Sequence, residues 1–242
     1  MKGLFVTGTD TGVGKTVFSA TLCRALRARG VNAIALKPFA SGIHEKTHWK
    51  DNDPLILAAA ADYAEAPETI APVRLAPALS PYDAARISHT SFDIPTILQV
   101  VQAVASKYDF VIVEGVGGVA VPLAENYMVS DLIEGLGLQA FLVARSRLGT
   151  INHSLLSLNW LRSKGIGTLG LAFTRSQEGP TLLEEDAGIE TVCRLARVAC
   201  FGMVAYSPQF DQAATLDVAI RNLPVNDPTM QSIVEHIVGN NL

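Results

Sequence analysis

Residues 7 to 16 read Thr-Gly-Thr-Asp-Thr-Gly-Val-Gly-Lys-Thr and join a short apolar run to a helical segment, a junction that few folds accommodate. The run from Leu4 to Thr7 ends in glycine, as a buried parallel strand does. Beyond the loop, Val17, Phe18, Leu22, Ala25 and Leu26 recur near helical spacing. Arg24, Arg27 and Arg29 crowd the far end, where cations suit the helix dipole, and Gly30 stops the helix. Such a strand–loop–helix unit turns backbone N–H groups onto phosphate oxygens and points the positive helix end at the same place. Lys15 can bridge terminal phosphates, and the Thr16 hydroxyl can ligate Mg²⁺. The strict pattern G-x-x-x-x-G-K-[ST] is missed by one residue, because Thr9 stands at its first position and Gly8 precedes it. An ordinary glycine turn with an incidental lysine is the plainer alternative. Gly12, Gly14 and the Gly-Lys-Thr triplet after the first strand favour nucleotide binding, with ATP and Mg²⁺ as the ligands.

The rest of the chain repeats the alternation. Strands are expected at 31–36, 110–113, 140–144, 168–173 and 201–205, and helices at 55–63, 97–107, from the loop after Ala144 through Leu161, and 230–238. Pro54 suits a first helical turn, and the proline-rich stretch 66–95 is expected to hold loops and short helices. Alternating strands and helices predict an α/β fold, a doubly wound, mostly parallel sheet with helices on both faces, of P-loop NTPase type. Ligands of such sheets sit outside the carboxyl ends of the strands, where the loops at 8–16, 37–42, 114–118 and 145–153 should converge. No linker or repeat interrupts the 242 residues, so one domain over 1–242 is expected.

Composition narrows the partners. With 17% charged residues and a net charge of −4, the chain has no basic excess for nucleic acid. No apolar stretch reaches the ~18 residues of a membrane span, and the start lacks a secretory pattern, so a cytoplasmic protein is expected. Cys23, Cys193 and Cys200 show no C-x-x-C spacing and are expected to be reduced core thiols.

Further segments carry a resemblance. The loop at 7–16, Lys37-Pro38, Ser41-Gly42, Glu114-Gly-Val-Gly-Gly118 and Leu148-Gly-Thr-Ile-Asn-His153 are similar, in order and spacing, to the dethiobiotin synthase family. The likeness spans residues 1 to about 175 and fades from 176 onward. It implies a homodimeric, Mg²⁺- and ATP-dependent ligase acting on 7,8-diaminopelargonate and CO₂ or bicarbonate. In that chemistry a carbamate on one amine is phosphorylated, the second amine attacks, and a cyclic urea forms. An anionic carbamate must approach an anionic γ-phosphate, so cations and donors have to stand between them.

By this resemblance Lys37, Lys15 and Thr11 are catalytic, with Lys37 acting electrostatically. Gly12, Val13, Gly14, Lys15, Thr16 and Val17 hold the nucleotide, with Asp53, Glu114, Gly115, Val116, Gly117, Thr174 and Arg175 around it. Thr11, Lys37, Ser41, Gly117, Gly118, Leu148, Gly149, Thr150 and Asn152 are the substrate contacts, the last four reaching across the dimer interface. Thr16, Asp53 and Glu114 are the metal ligands, hard oxygen donors of the kind Mg²⁺ takes. Glu114 ends the most hydrophobic strand, where a carboxylate is costly unless it is paired or near a cation. Asp53 also suits a helix cap before Pro54, and Thr150 suits a cap in a plain strand-to-helix turn.

Three positions differ from the family pattern. Gly12 stands where glutamate is common, Thr174-Arg175 where Asn-Asp is usual, and Gly202-Met-Val-Ala205 replaces a Gly-x-Ile-Pro segment. A threonine cannot make the paired hydrogen bonds of an amide to an adenine edge.

Other groupings carry less. His44 and His48 stand four apart in a polar stretch expected to be a solvated loop, and His89, His153 and His236 fit no ligand spacing. Leu155, Leu156, Leu158 and Leu161 are expected to form a helix's core face, and Glu184-Glu-Asp186 a solvated acidic run. No G-x-S-x-G elbow is present. Rival functions are a septum- or plasmid-positioning switch ATPase, a cobyrinate-type amidating synthase, and a related ligase with another diamine. The first would carry an early loop lysine where this chain has Asp10, and Met230 to Leu242 has no lysine or arginine for a membrane surface. The second would need a glutaminase domain for which the chain has no room.

Overall fold

The computed structural model describes residues 1–175 and 183–241. Ten strands occur among them: β1 (Gly3–Gly8), β2 (Ala33–Leu36), β3 (Phe39–Ser41), β4 (Val73–Leu75), β5 (Phe110–Gly118), β6 (Pro122–Ala124), β7 (Tyr127–Met128), β8 (Gln139–Arg145), β9 (Thr168–Thr174) and β10 (Ala199–Val204). Six form one parallel sheet in the order β10-β9-β8-β1-β5-β2. The pairs β3–β4, parallel, and β6–β7, antiparallel, stand apart. No described helix is long and apolar enough to cross a membrane.

Residues of β8 show how both faces are covered. Phe141 stacks on Phe18 of helix α1 (Lys15–Ala28) with ring centroids 5.0 Å apart, and on Phe201 of β10 at 5.8 Å. Its neighbours Leu142 and Ala144 face the other way, into a cluster with Leu158, Val192 and Ala196 from the helices Thr150–Ser163 and Leu183–Ala196. Successive strand residues point to opposite faces, so apolar residues throughout the strand bind helices on both sides. Burying each large side chain among them, such as Phe141 or Leu142, contributes about 1.5–3 kcal/mol.

Several expectations need correction. Residues 114–118 are the second half of β5 rather than a loop. β1 pairs Val6 with Glu114 but Gly8 with Gly118, so β5 carries extra residues across that step. Gly117, at φ +60, supplies the bend, and a Cβ on Gly115 would lie 2.8 Å from Phe5. Likewise 39–41 is strand β3. Of the four leucines on the helix Thr150–Ser163, Leu158 and Leu161 are buried, Leu155 is half-buried and Leu156 is 60% exposed, because serines 154 and 157 share the buried side. Cys193 and Cys200 are joined by a disulfide, Cα atoms 5.4 Å apart, while Cys23 is a free buried thiol whose pKa burial pushes up to about 12. The two lie seven positions apart in sequence, and the short connection from the helix Leu183–Ala196 into β10 brings them together. Glu185 is buried and pairs with Arg175 at 3.2 Å, so the acidic run is not wholly solvated; Asp186 is exposed, and the Glu184 side chain lies outside the described residues.

Candidate active site

The phosphate loop follows β1 and opens α1. Gly12 (φ +67) and Gly14 (φ +85) take left-handed backbone, Gly14 being the residue that caps the helix without a side chain. The glycine that the strict pattern wants at 9 is supplied at 8: a Cβ on Gly8 would lie 2.8 Å from Val13 Cγ2 and 3.0 Å from Lys15 Nζ. Lys15 is buried, and its Nζ donates to the Asp10 carbonyl at 2.9 Å. Burial, then the charge of Lys37, lowers its pKa to about 8.

Lys37 follows β2 directly and is also buried. Its ammonium donates to Asp53 Oδ2 and, at 2.8 Å, to Glu114 Oε1. Burial opposes the charge, but the two carboxylates outweigh it and hold the Lys37 pKa above the usual lysine value. Asp53 sits a third exposed at the start of helix α2 (Asp53–Ala60); burial pushes its pKa up, and Lys37 more than reverses this, leaving it lowered. The capping competitor is resolved: Asn52 caps α2 by accepting from the Leu55 N–H at 3.2 Å, which leaves Asp53 to Lys37.

Glu114, from the middle of β5, is almost fully buried. Its Oε1 accepts from Thr16 Oγ1 at 2.8 Å as well as from Lys37, and its Oε2 is buried without a partner. Thr16, Asp53 and Glu114 therefore share one network with a free carboxylate oxygen inside it. That donor set fits Mg²⁺, which takes one or two carboxylates plus phosphate oxygens. Two lysines and two carboxylates balance one another, so a triphosphate arriving here brings charge that a divalent cation would offset.

Among the residues expected to meet substrate, Gly117 brings β5 beside Thr11: a Cβ there would lie 3.6 Å from Thr11 Oγ1. Gly118 packs on Gly8 and Thr9, and Ser41, ending β3, has its hydroxyl buried without a partner. Leu148 and Thr150 line a small cleft with Thr9 and Asp10. Gly149 (φ +95), not Thr150, caps the helix; Thr150 is buried against Ser154, whereas Leu148 and Asn152 are exposed. Of these four residues, Leu148 and Thr150 thus lie beside the phosphate loop.

A cavity of about 230 Å³ opens beside the loop, lined by Gly12 to Gly14, Val17, Phe18, Arg145, Thr174, Arg175 and residues 204–207, 210 and 211. Thr174 and Arg175 are in its wall. Thr174 Oγ1, however, donates to the Val13 carbonyl at 2.5 Å, so its proton serves the loop. Sequence reasoning missed Arg145 and the segment 206–211, where Tyr206 donates to Asp211 at 2.8 Å and Phe210 meets Trp49 edge-on. No local pattern marks these residues. His44 and His48 are exposed, and no described group of three or more His, Cys, Asp or Glu could hold a metal.

Residues 2–214 match the family model described as an AAA domain. Over 231 residues the chain is 34% identical to the ATP-dependent dethiobiotin synthetase BioD of Thermodesulfovibrio yellowstonii, covering 92% of this chain and 96% of that one. The chain belongs to the dethiobiotin synthetase family. The proteins of the same name from Bacillus velezensis (35% identical, 90% and 91% covered) and Methanocaldococcus jannaschii (36%, 86% and 96%) agree. Membership makes the chain an ATP-dependent ligase of biotin biosynthesis with a nucleotide-binding P-loop, as the resemblance implied. Solved structures share the fold alone: MinD in the Aquifex aeolicus MinC:MinD complex (TM-score 0.60, 14% identical, 100% and 98% covered) and a ParA family ATPase from Chlorobium tepidum (0.57, 13%, 98% and 97%). The switch-ATPase rival thus shares architecture with this chain, whereas sequence kinship lies with the ligases.

Proposed function

We propose that the chain closes the cyclic urea of dethiobiotin from 7,8-diaminopelargonate, CO₂ and ATP. The observation that carries this reading is Lys37, a buried ammonium held by Asp53 and Glu114 within the network that reaches Thr16 of the phosphate loop. A charged lysine there can lie between two anions, the carbamate and the γ-phosphate, and lower the cost of their approach. Lys15 neutralises the terminal phosphates, and Thr11 and Ser41 donate to the carbamate. The Ser41 hydroxyl is buried and unspent, as a donor kept for a ligand would be.

One diamine nitrogen adds to CO₂ and loses a proton, giving the carbamate. A carbamate oxygen attacks the γ-phosphorus and ADP leaves. The second nitrogen then attacks the carbamate carbon, the C–O bond breaks, a proton is lost, and inorganic phosphate departs with that oxygen. Mg²⁺ held by Thr16, Asp53 and Glu114 would supply positive charge at the phosphates.

The active unit in this reading is a homodimer. Leu148 at 91% exposed, Ile151 at 38% and Leu156 at 60% present apolar surface around the start of the helix Thr150–Ser163. A second copy covering it would bring Asn152 toward a neighbouring diamine. Carbon dioxide freshly enriched in ¹⁸O, in ordinary water, tests the reaction course. One labelled oxygen per inorganic phosphate is expected; unlabelled phosphate formed along with the urea would overturn the anhydride route.

A further inference from the structure

The carbonyls on the outer side of the phosphate loop are held by two side chains that lie beyond the loop itself. Arg145, the last residue of β8, donates from Nη2 to the Gly12 carbonyl at 2.7 Å and to the Thr11 carbonyl at a longer 3.4 Å. Thr174, the last residue of β9, donates to the Val13 carbonyl. Three consecutive carbonyls, 11 to 13, are therefore tied to the ends of two neighbouring strands.

Peptide planarity gives this arrangement a consequence. In a trans peptide the carbonyl of one residue points opposite to the N–H of the next, and the described chain has no cis bonds. Fixing carbonyls 11, 12 and 13 on the strand side turns the N–H groups of Gly12, Val13 and Gly14 away from it, toward the concave side. Those N–H groups are the ones that a glycine-rich loop offers to phosphate. Both glycines in this stretch are conformationally free, so the loop needs an external hold on its peptide planes. Gly12 also carries no side chain of its own, and a Cβ there would approach Arg145 Nη2 to 3.3 Å.

We infer that Arg145 is a positioning residue for the triphosphate, acting through the loop carbonyls it holds rather than on the nucleoside. It deepens the proposed function but rests only on triphosphate binding at the loop, not on the identity of the diamine. The competing role is direct contact with the base or ribose, since Arg145 also borders the 230 Å³ cavity and its Nε is buried without a partner.

Affinities of the full chain, with Mg²⁺ present, for ATP, CTP and inorganic tripolyphosphate separate the two roles. Arg145→Met should weaken all three by the same factor, about tenfold for loss of a charge-assisted hydrogen bond. The KM for ATP should rise in step while kcat at saturation stays within about twofold, because uniform binding is what is lost. Arg145→Lys keeps one charged donor, so it should fold even where the methionine variant does not, and show a smaller, equally base-independent loss. Unchanged tripolyphosphate affinity alongside weaker ATP or CTP binding would overturn the inference in favour of nucleoside contact. Unchanged affinity for every ligand would overturn it outright. Wild-type protein that binds none of the three would instead count against the function proposed above.

Discussion

Lys37 and Glu114 form a buried ion pair, Nζ to Oε1 at 2.8 Å, between the end of one strand and the middle of its neighbour. The pair links the loop bearing Thr16 to the helix bearing Asp53, and its lysine is the group that the proposed reaction sets between carbamate and γ-phosphate.

Lys37→Ala should lower kcat by about 10²-fold or more, since it removes charge from where charge develops. ATP binding should persist, because Lys15 and the loop are untouched. Glu114 would be left buried without its ion-pair partner, so the variant should also lose about 3–5 kcal/mol of stability. Steady-state turnover and denaturant unfolding check both parts; full turnover by the variant would contradict the assignment.

Gly8 and Thr9 make a contrasting pair. Gly8→Ala forces a Cβ against Val13 and Lys15 and should abolish nucleotide binding. Thr9→Gly, which restores the strict motif letter, should change affinity by no more than about threefold, the scale of a glycine's added backbone freedom. Calorimetric titration with ATP distinguishes them.

How far the sequence revealed this site follows from where each contact is encoded. The loop was legible because strand, glycines, Lys15 and Thr16 lie within a dozen residues. Lys37 and Glu114 were visible as charges at the ends of apolar runs, although their pairing required the resemblance. Asp53 was ambiguous until Asn52 took the cap. Arg145 was invisible, since an arginine ending a strand is commonplace and its acceptors lie more than 130 residues away. Buried Glu185 and the bulged half of β5 likewise depend on tertiary neighbours, and the Cys193–Cys200 bridge on a helix-to-strand turn, none of which residue spacing carries.

Lys15 makes nucleotide affinity depend on pH. With its pKa lowered to about 8 by burial and Lys37, it loses its charge in the free protein above that pH. Phosphate favours the charged form, so binding above pH 8 takes up a proton, and affinity must fall as pH rises. The fall should approach tenfold per pH unit, until the pKa of the bound form is reached. Titrations in buffers of different ionisation enthalpy would show the uptake; affinity flat from pH 7 to 9.5 would rule this out.

The exposed apolar group at 148, 151 and 156 predicts a concentration-dependent assembly. Leu148→Glu combined with Leu156→Glu should shift the protein to a monomer with ATP binding retained and urea formation reduced at least about tenfold. Sedimentation equilibrium gives the mass; an unchanged mass distribution with full activity would remove this surface from the account.

The most direct test mixes the protein with Mg-ATP, bicarbonate and 7,8-diaminopelargonate, following phosphate release and the cyclic urea by mass spectrometry. Dethiobiotin and phosphate should form in equal amounts, both dependent on the diamine. Phosphate released at the same rate without the diamine, and no urea with it, would contradict the proposed reaction.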